Sequence, residues 1–153
     1  MSAERPLSYD EARDLANDND PEVRRKLAAR EDLKPEILYF LAEDQAPEVR
    51  RTVAENVTAP RQTHELLAKD KDPEVRSGLA EKLARIAPDL SDDERNQLRQ
   101  SAHESLNLLA KDEITRVRQI LSETLKDVSE APPDVIKQLA LDSELEVAGP
   151  VLE

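Results

Sequence analysis

One phrase recurs along this chain and constrains it more than any other feature: Leu-Ala-x-Asp, with Val-Arg following five positions after the aspartate. It reads Leu15-Ala16-Asn17-Asp18 with Val23-Arg24, then Leu41-Ala42-Glu43-Asp44 with Val49-Arg50. It returns at Leu67-Ala68-Lys69-Asp70 with Val75-Arg76 and at Leu109-Ala110-Lys111-Asp112 with Val117-Arg118. A fifth copy, Leu139-Ala140-Leu141-Asp142 with Val147, has Ala148 in place of the arginine. Successive copies are 26, 26, 42 and 30 positions apart. Self-similarity at such periods marks a stack of small supersecondary units, none of which buries its apolar face alone. Each unit reads as a helix ending in the phrase, a tight turn, and a second helix beginning just before Val-Arg. The units span about 7–32, 33–58, 59–88, 89–128 and 129–153.

The turn chemistry supports this division. Pro21, Pro47 and Pro73 stand at one place in the first three units, each followed by Glu and Val. Proline at the first helical position sacrifices no hydrogen bond, and the adjacent glutamate suits the positive end of the helix dipole. Asp20 and Asp72 are placed as N-caps; Ala46 departs from the pattern, so its helix is expected to fray more easily. Ser8 with Glu11, and Ser91 with Glu94, have capping-box spacing at the starts of first helices.

Counted from each Val-Arg arginine, the second helices bury positions −1, +3, +4 and +7, a narrow apolar stripe at helical period. Val49, Val53, Ala54 and Val57 fill it in the second unit, and Val75, Leu79, Ala80 and Leu83 in the third. Positions +1, +2, +5 and +6 are then expected to face solvent; these include Asn56, Ser77, Gly78 and Lys82. The long third spacing calls for longer helices, with Pro88 changing the superhelical curvature. At the C-terminus, Gly149-Pro150 interrupts the last helix, and Val147, Val151 and Leu152 are expected to be left uncovered. That end suggests the N-terminal part of a longer protein, or self-association through the last repeat.

Composition excludes several classes of chemistry. With no cysteine there is no disulfide, thiolate metal site or cysteine nucleophile. Two glycines cannot build a glycine-rich phosphate loop, and 2% aromatics with abundant helix formers argue against a sheet protein. The net charge of −12 disfavours a general binder of nucleic acid or anionic lipid. The first residues contain no signal-peptide-like apolar run, so a cytoplasmic protein is the expectation.

The wording Leu-Ala-x-Asp…Pro-Glu-Val-Arg-x-x-Val/Leu-Ala resembles HEAT-like repeats, and the 26-residue units look like the leucine-rich-repeat variant. The order of short and long units, through Leu90-Ser91-Asp92-Asp93-Glu94 to Ala148-Gly149-Pro150-Val151-Leu152, also resembles a bacterial repeat domain of unknown function. The likeness covers about Leu7 to Glu153. It implies an all-α fold, a right-handed α-solenoid of about five helical hairpins. The iron–sulfur cluster of one leucine-rich-repeat-variant protein does not transfer to a chain without cysteine.

The repeated acids and arginines look like chemistry, but an aspartate at a helix C-terminus is penalised by the dipole and needs a partner. Its candidate partners are the first-turn amides of the next helix and a guanidinium of the same or an adjacent unit. A structural ladder of Asp18, Arg24, Asp44, Arg50, Asp70, Arg76, Asp112 and Arg118 is therefore expected to tie the units together. His64 and His103 are the only histidines and lie far apart, so neither a metal nor another cofactor is expected. No serine lies in a nucleophile motif, and a catalytic role is not expected.

What remains is a basic cluster on an otherwise acidic chain: Arg25, Lys26, Arg30 and Arg51. In solenoids the second helices line the concave face that partners use. The expected role is a non-catalytic protein-interaction scaffold, with this cluster anchoring an acidic peptide or helix. Two alternatives stand beside it. A HEAT-like nucleic-acid-binding protein would need a continuous basic groove, and a HEAT-like chromophore lyase would need a pocket walled by Tyr9, Tyr39 and Phe40.

Overall fold

A computed structural model of the chain describes residues 5–86, 96–128 and 131–152. The expected capping box at Ser91 and Glu94 and the curvature change at Pro88 lie outside the described residues. Every described element is a helix: α1 (Tyr9–Ala16), α2 (Pro21–Ala28), α3 (Pro35–Ala42), α4 (Pro47–Glu55) and α5 (Gln62–Ala68), followed by α6 (Pro73–Ile86), α7 (Asn96–Ala110), α8 (Thr115–Leu125), α9 (Pro133–Ala140) and α10 (Leu145–Leu152).

The starts are set by the capping residues. Ser8 and Glu11 close a reciprocal capping box on α1, and the Asp20 carboxylate accepts the Glu22 amide at the head of α2. Proline opens α2, α3, α4 and α9. Ala46 gives α4 no side-chain cap. The Asp44 carboxylate, two residues back, accepts the Ala46 amide instead.

The helices pair as five hairpins and stack in two rows. The first helices form the row α1-α3-α5-α7-α9, and the second helices form α2-α4-α6-α8-α10. This is an α-solenoid of helical hairpins. Positions −1, +3 and +4 of the second helices form its seam: Val49, Val53, Ala54, Val75, Leu79, Ala80, Val117 and Leu121 are all fully buried. Alanine or serine at +4 lets neighbouring helices approach.

Several surface expectations are corrected. Asn56, Ser77, Gly78 and Lys82 are buried rather than solvent-facing. α6 is 14 residues long and packs against α4 on one side and α8 on the other, so a single stripe understates its covered surface. A Cβ on Gly78 would sit 3.1 Å from Glu55 Cγ and 3.3 Å from Arg51 Cγ, which shows how closely α4 approaches. Val57, expected in the core, is 56% exposed. The chain leaves helical geometry at Asn56 (ψ 118°), which turns the next side chain outward. Val147, expected to be bare, is fully buried, while Val151 is half-buried and Leu152 exposed. α10 runs through Pro150, at the cost of the bond a residue with an N–H would give to the Glu146 carbonyl.

Candidate functional site: the clasp ladder and the second-helix row

The repeated arginines pair with the carboxylate of the next unit's aspartate, not with that of their own. Arg24 Nε donates to Asp44 Oδ2 at 2.8 Å and Arg50 Nε to Asp70 Oδ2 at 2.8 Å. Arg76 Nε reaches Asp112 and Arg118 Nε reaches Asp142, each at 2.7 Å. In every clasp Nη2 takes the second carboxylate oxygen, at 3.2–3.4 Å, so the pairing is bidentate. The third guanidinium nitrogen, Nη1, donates to the main-chain carbonyl of the aspartate in its own unit: Asp18, Asp44, Asp70 or Asp112, at 2.5–2.8 Å.

Each carboxylate has a further task. Its Oδ1 accepts the amide two residues on, at Ala46, Asp72, Ile114 and Glu144, which fixes the turn before the second helix. One side chain therefore orders its own turn and receives the guanidinium of the preceding unit. The bonds to this amide and to the guanidinium offset the dipole penalty of an acid at a helix C-terminus. The paired side chains are 6–14% exposed. Asp18 heads the ladder: its carboxylate accepts the Asp20 amide, and no described guanidinium pairs with it. At the other end Ala148 closes the series.

A second set of ties lies at the opposite ends of the second helices and was not expected from the sequence. The Asn56 side-chain amide donates to the carbonyls of Ala28 and Arg30, both at 2.8 Å, and so caps the C-terminus of α2 from the next unit. Lys82 Nζ repeats the manoeuvre one unit on, donating to the Asn56 carbonyl at 3.3 Å. Both residues stand at +6 from their Val-Arg arginines, the signal that marks them in the sequence. Burial without an acidic partner pushes the Lys82 ammonium down to about 8. His64, on α5, is also buried, with Nδ1 facing the Ser101 hydroxyl at 3.5 Å. Burial, aided by the Lys82 charge, pushes its imidazolium down to about 3, so the ring is neutral at physiological pH. His103 lies apart, bonded to Asp134 of α9 at 2.9 Å, and that bond lowers the Asp134 carboxyl.

The basic cluster is largely engaged locally. Arg25 pairs with Glu22, and Arg51 pairs with Glu55 and Glu74. Glu74 also takes Arg116 of α8 at 3.4 Å, which draws a charged line across three second helices. The Arg30 guanidinium bonds Asp32 and the Arg5 carbonyl, with its side chain 11% exposed. Lys26 is exposed. Tyr9, Tyr39 and Phe40 lie at the surface, and Tyr9 and Phe40 line two separate clefts. Among the described residues no group of three His, Cys, Asp or Glu side chains is placed to hold a metal ion, and no helix is long and apolar enough to cross a membrane.

Two rows of helices, held by inter-unit clasps, define a helical-repeat protein. No protein-family model matches the chain, and no curated protein matches it. Among solved structures the chain is similar to a leucine-rich repeat variant with a novel repetitive protein structural motif, at 29% identity and a TM-score of 0.43. The match covers 95% of this chain and 61% of that one, so the chain spans less than two thirds of that protein's length.

Proposed function

We propose that this chain is a non-catalytic scaffold that docks an acidic peptide or helix along its second-helix row, with Arg25, Lys26 and Arg51 as anchors and Arg30 bracing the N-terminal segment behind them. The observation that carries the reading is the use made of the repeated ionisable residues. Arg24, Arg50, Arg76 and Arg118 are consumed in clasps with Asp44, Asp70, Asp112 and Asp142, which leaves the repeat chemistry structural. The second helices also pack on one another more extensively than the first helices do, which supports reading them as the row a partner lies along. The ion pairs of Arg25 and Arg51 are exposed and screened by solvent, so an incoming carboxylate can replace the local one.

The test is binding of an acidic, glutamate-rich helical peptide, followed by fluorescence anisotropy at rising salt. Charge reversal at Arg25 and Arg51 is expected to weaken it at least tenfold. Unchanged affinity overturns the docking reading.

A further inference from the structure

The turns between first and second helices form a ridge along one edge of the solenoid, and its character changes along the chain. The x position of the Leu-Ala-x-Asp phrase carries Asn17, Glu43, Lys69 and Lys111 in the first four units, all exposed although another unit stacks beyond each. In the fifth unit it carries Leu141, 73% exposed. The first helical position carries Pro21, Pro47, Pro73 and Thr115, then Leu145, 79% exposed. The position before it holds Asp20, Ala46 and Asp72, then Ile114 in the fourth unit, 36% exposed. Stacking leaves the x position in solvent throughout the interior, so the exposure of Leu141 belongs to the ridge and not to the end of the stack.

The apolar residues stand on two turns that are neighbours. A single side chain, Arg118, donates to the Asp112 carbonyl in the Ile114 turn and to the Asp142 carboxylate in the Leu141–Leu145 turn. Asp112 and Asp142 each fix their own turn through the amide two residues on. The backbone is thus ordered before any partner arrives, which removes one of the entropic costs of binding. Around these anchors the exposed carboxylates Glu113, Glu144 and Glu146 outnumber the lysines Lys111 and Lys137, and Arg116 is paired with Glu74. Neutral apolar anchors rimmed by acids, on a chain of net charge −12, repel a second copy and an anionic membrane alike and favour cations.

We propose that the turn ridge of the fourth and fifth units is a second docking surface, for a basic amphipathic helix whose apolar face covers Ile114, Leu141 and Leu145 and whose lysines or arginines meet Glu113, Glu144 and Glu146. It is separate from the Arg25, Lys26 and Arg51 anchors of the first two units and selects the opposite charge.

The probes are three synthetic peptides of one length: an amphipathic leucine–lysine helix, its leucine–glutamate counterpart, and a lysine-only chain. Anisotropy with the intact chain is expected to show the leucine–lysine helix binding at least tenfold more tightly than the lysine-only chain and, once charge reversal at Arg25 and Arg51 has removed the acidic-peptide site, more tightly than the leucine–glutamate helix as well. Leu141→Ser with Leu145→Ser, both solvent-facing changes that leave the core intact, is expected to remove that preference. Charge reversal at Arg25 and Arg51 is expected to leave the affinity for the leucine–lysine helix undiminished, which separates this ridge from the acidic-peptide site. Equal binding of the lysine-only chain, preference for the glutamate peptide in the charge-reversed chain, or insensitivity to the double serine variant overturns the proposal. So does concentration-dependent sedimentation of the chain that the double serine variant abolishes, since the occupant is then a second copy.

Discussion

The two ends of the second helices are built on opposite plans. At their N-terminal ends the same clasp occurs four times, with Nε–Oδ2 distances of 2.7–2.8 Å whatever the unit. At their C-terminal ends the ties differ from one another: the Asn56 side-chain amide caps α2, and the Lys82 ammonium caps α4. One edge holds the units in common register. The other ties two junctions, each with a different side chain.

The largest test of this contrast is on the clasp side. Asp70→Ala leaves the Arg50 guanidinium, 8% exposed, without its carboxylate, and removes the Asp72 amide acceptor as well. Breaking such a pair costs about 3 kcal/mol. A thermal melt is expected to drop by about 6–12 °C in a chain of this size, while substitution of the exposed Lys111 leaves it in place. If the two variants melt alike, the ladder does not hold the units together.

On the cap side, Asn56→Ala strands the carbonyls of Ala28 and Arg30, which costs about 2 kcal/mol. Urea unfolding is expected to show a lower midpoint, with the effect smaller than that of Asp70→Ala.

The Lys82 cap is of a different kind, since it burdens the fold with a buried charge. Its folded-state pKa of about 8 lies below the ordinary 10.5, so the unfolded chain binds more protons between these values and stability rises with pH across that window. Lys82→Met, similar in length and free of charge, is expected to raise the melting temperature at pH 7 and to flatten the alkaline rise. His64 acts at the other limb. Its pKa is held near 3 against 6.5, so its stabilising contribution is complete above pH 6.5 and is lost as pH falls toward 3. His64→Gln is expected to reduce the loss of melting temperature between pH 7 and pH 5.

The smallest effect is expected at the head of the ladder. Among the described residues the Asp18 carboxylate receives no guanidinium, so Asp18→Ala shifts stability by no more than about 0.5–1 kcal/mol, the worth of its turn bond alone. A loss as large as that of Asp70→Ala would place the value of the aspartate in the turn and not in the clasp.

The same contrast governs what the sequence could disclose. The clasps were legible because the Leu-Ala-x-Asp and Val-Arg residues recur at fixed separation, and a dipole-opposed acid needs a cationic partner. Their direction was not legible, because same-unit and next-unit pairing satisfy the spacing equally well; only stacking brings Arg24 to Asp44. The capping residues were misread as surface because a helical wheel assumes one covered face, and α6 has two. Asn56 was missed for another reason: it lies just past the end of α4, where helical periodicity no longer says which way a side chain points. The basic cluster was legible as residues but not as geometry, since Arg25, Arg30 and Arg51 have acids within reach that one-dimensional charge patterning does not weigh.

The clasp also tolerates unequal spacing. Arg24–Asp44 and Arg50–Asp70 each join residues 20 apart, whereas Arg76–Asp112 joins residues 36 apart at the same bond lengths. Extra chain in the third and fourth units is taken up by the longer α6 and α7 and does not reach the turn edge. That edge behaves like the spine of a book whose leaves differ in width. Lineages are free to lengthen or trim individual leaves at the fore-edge, where variation in size and shape should accumulate, while the binding stays true.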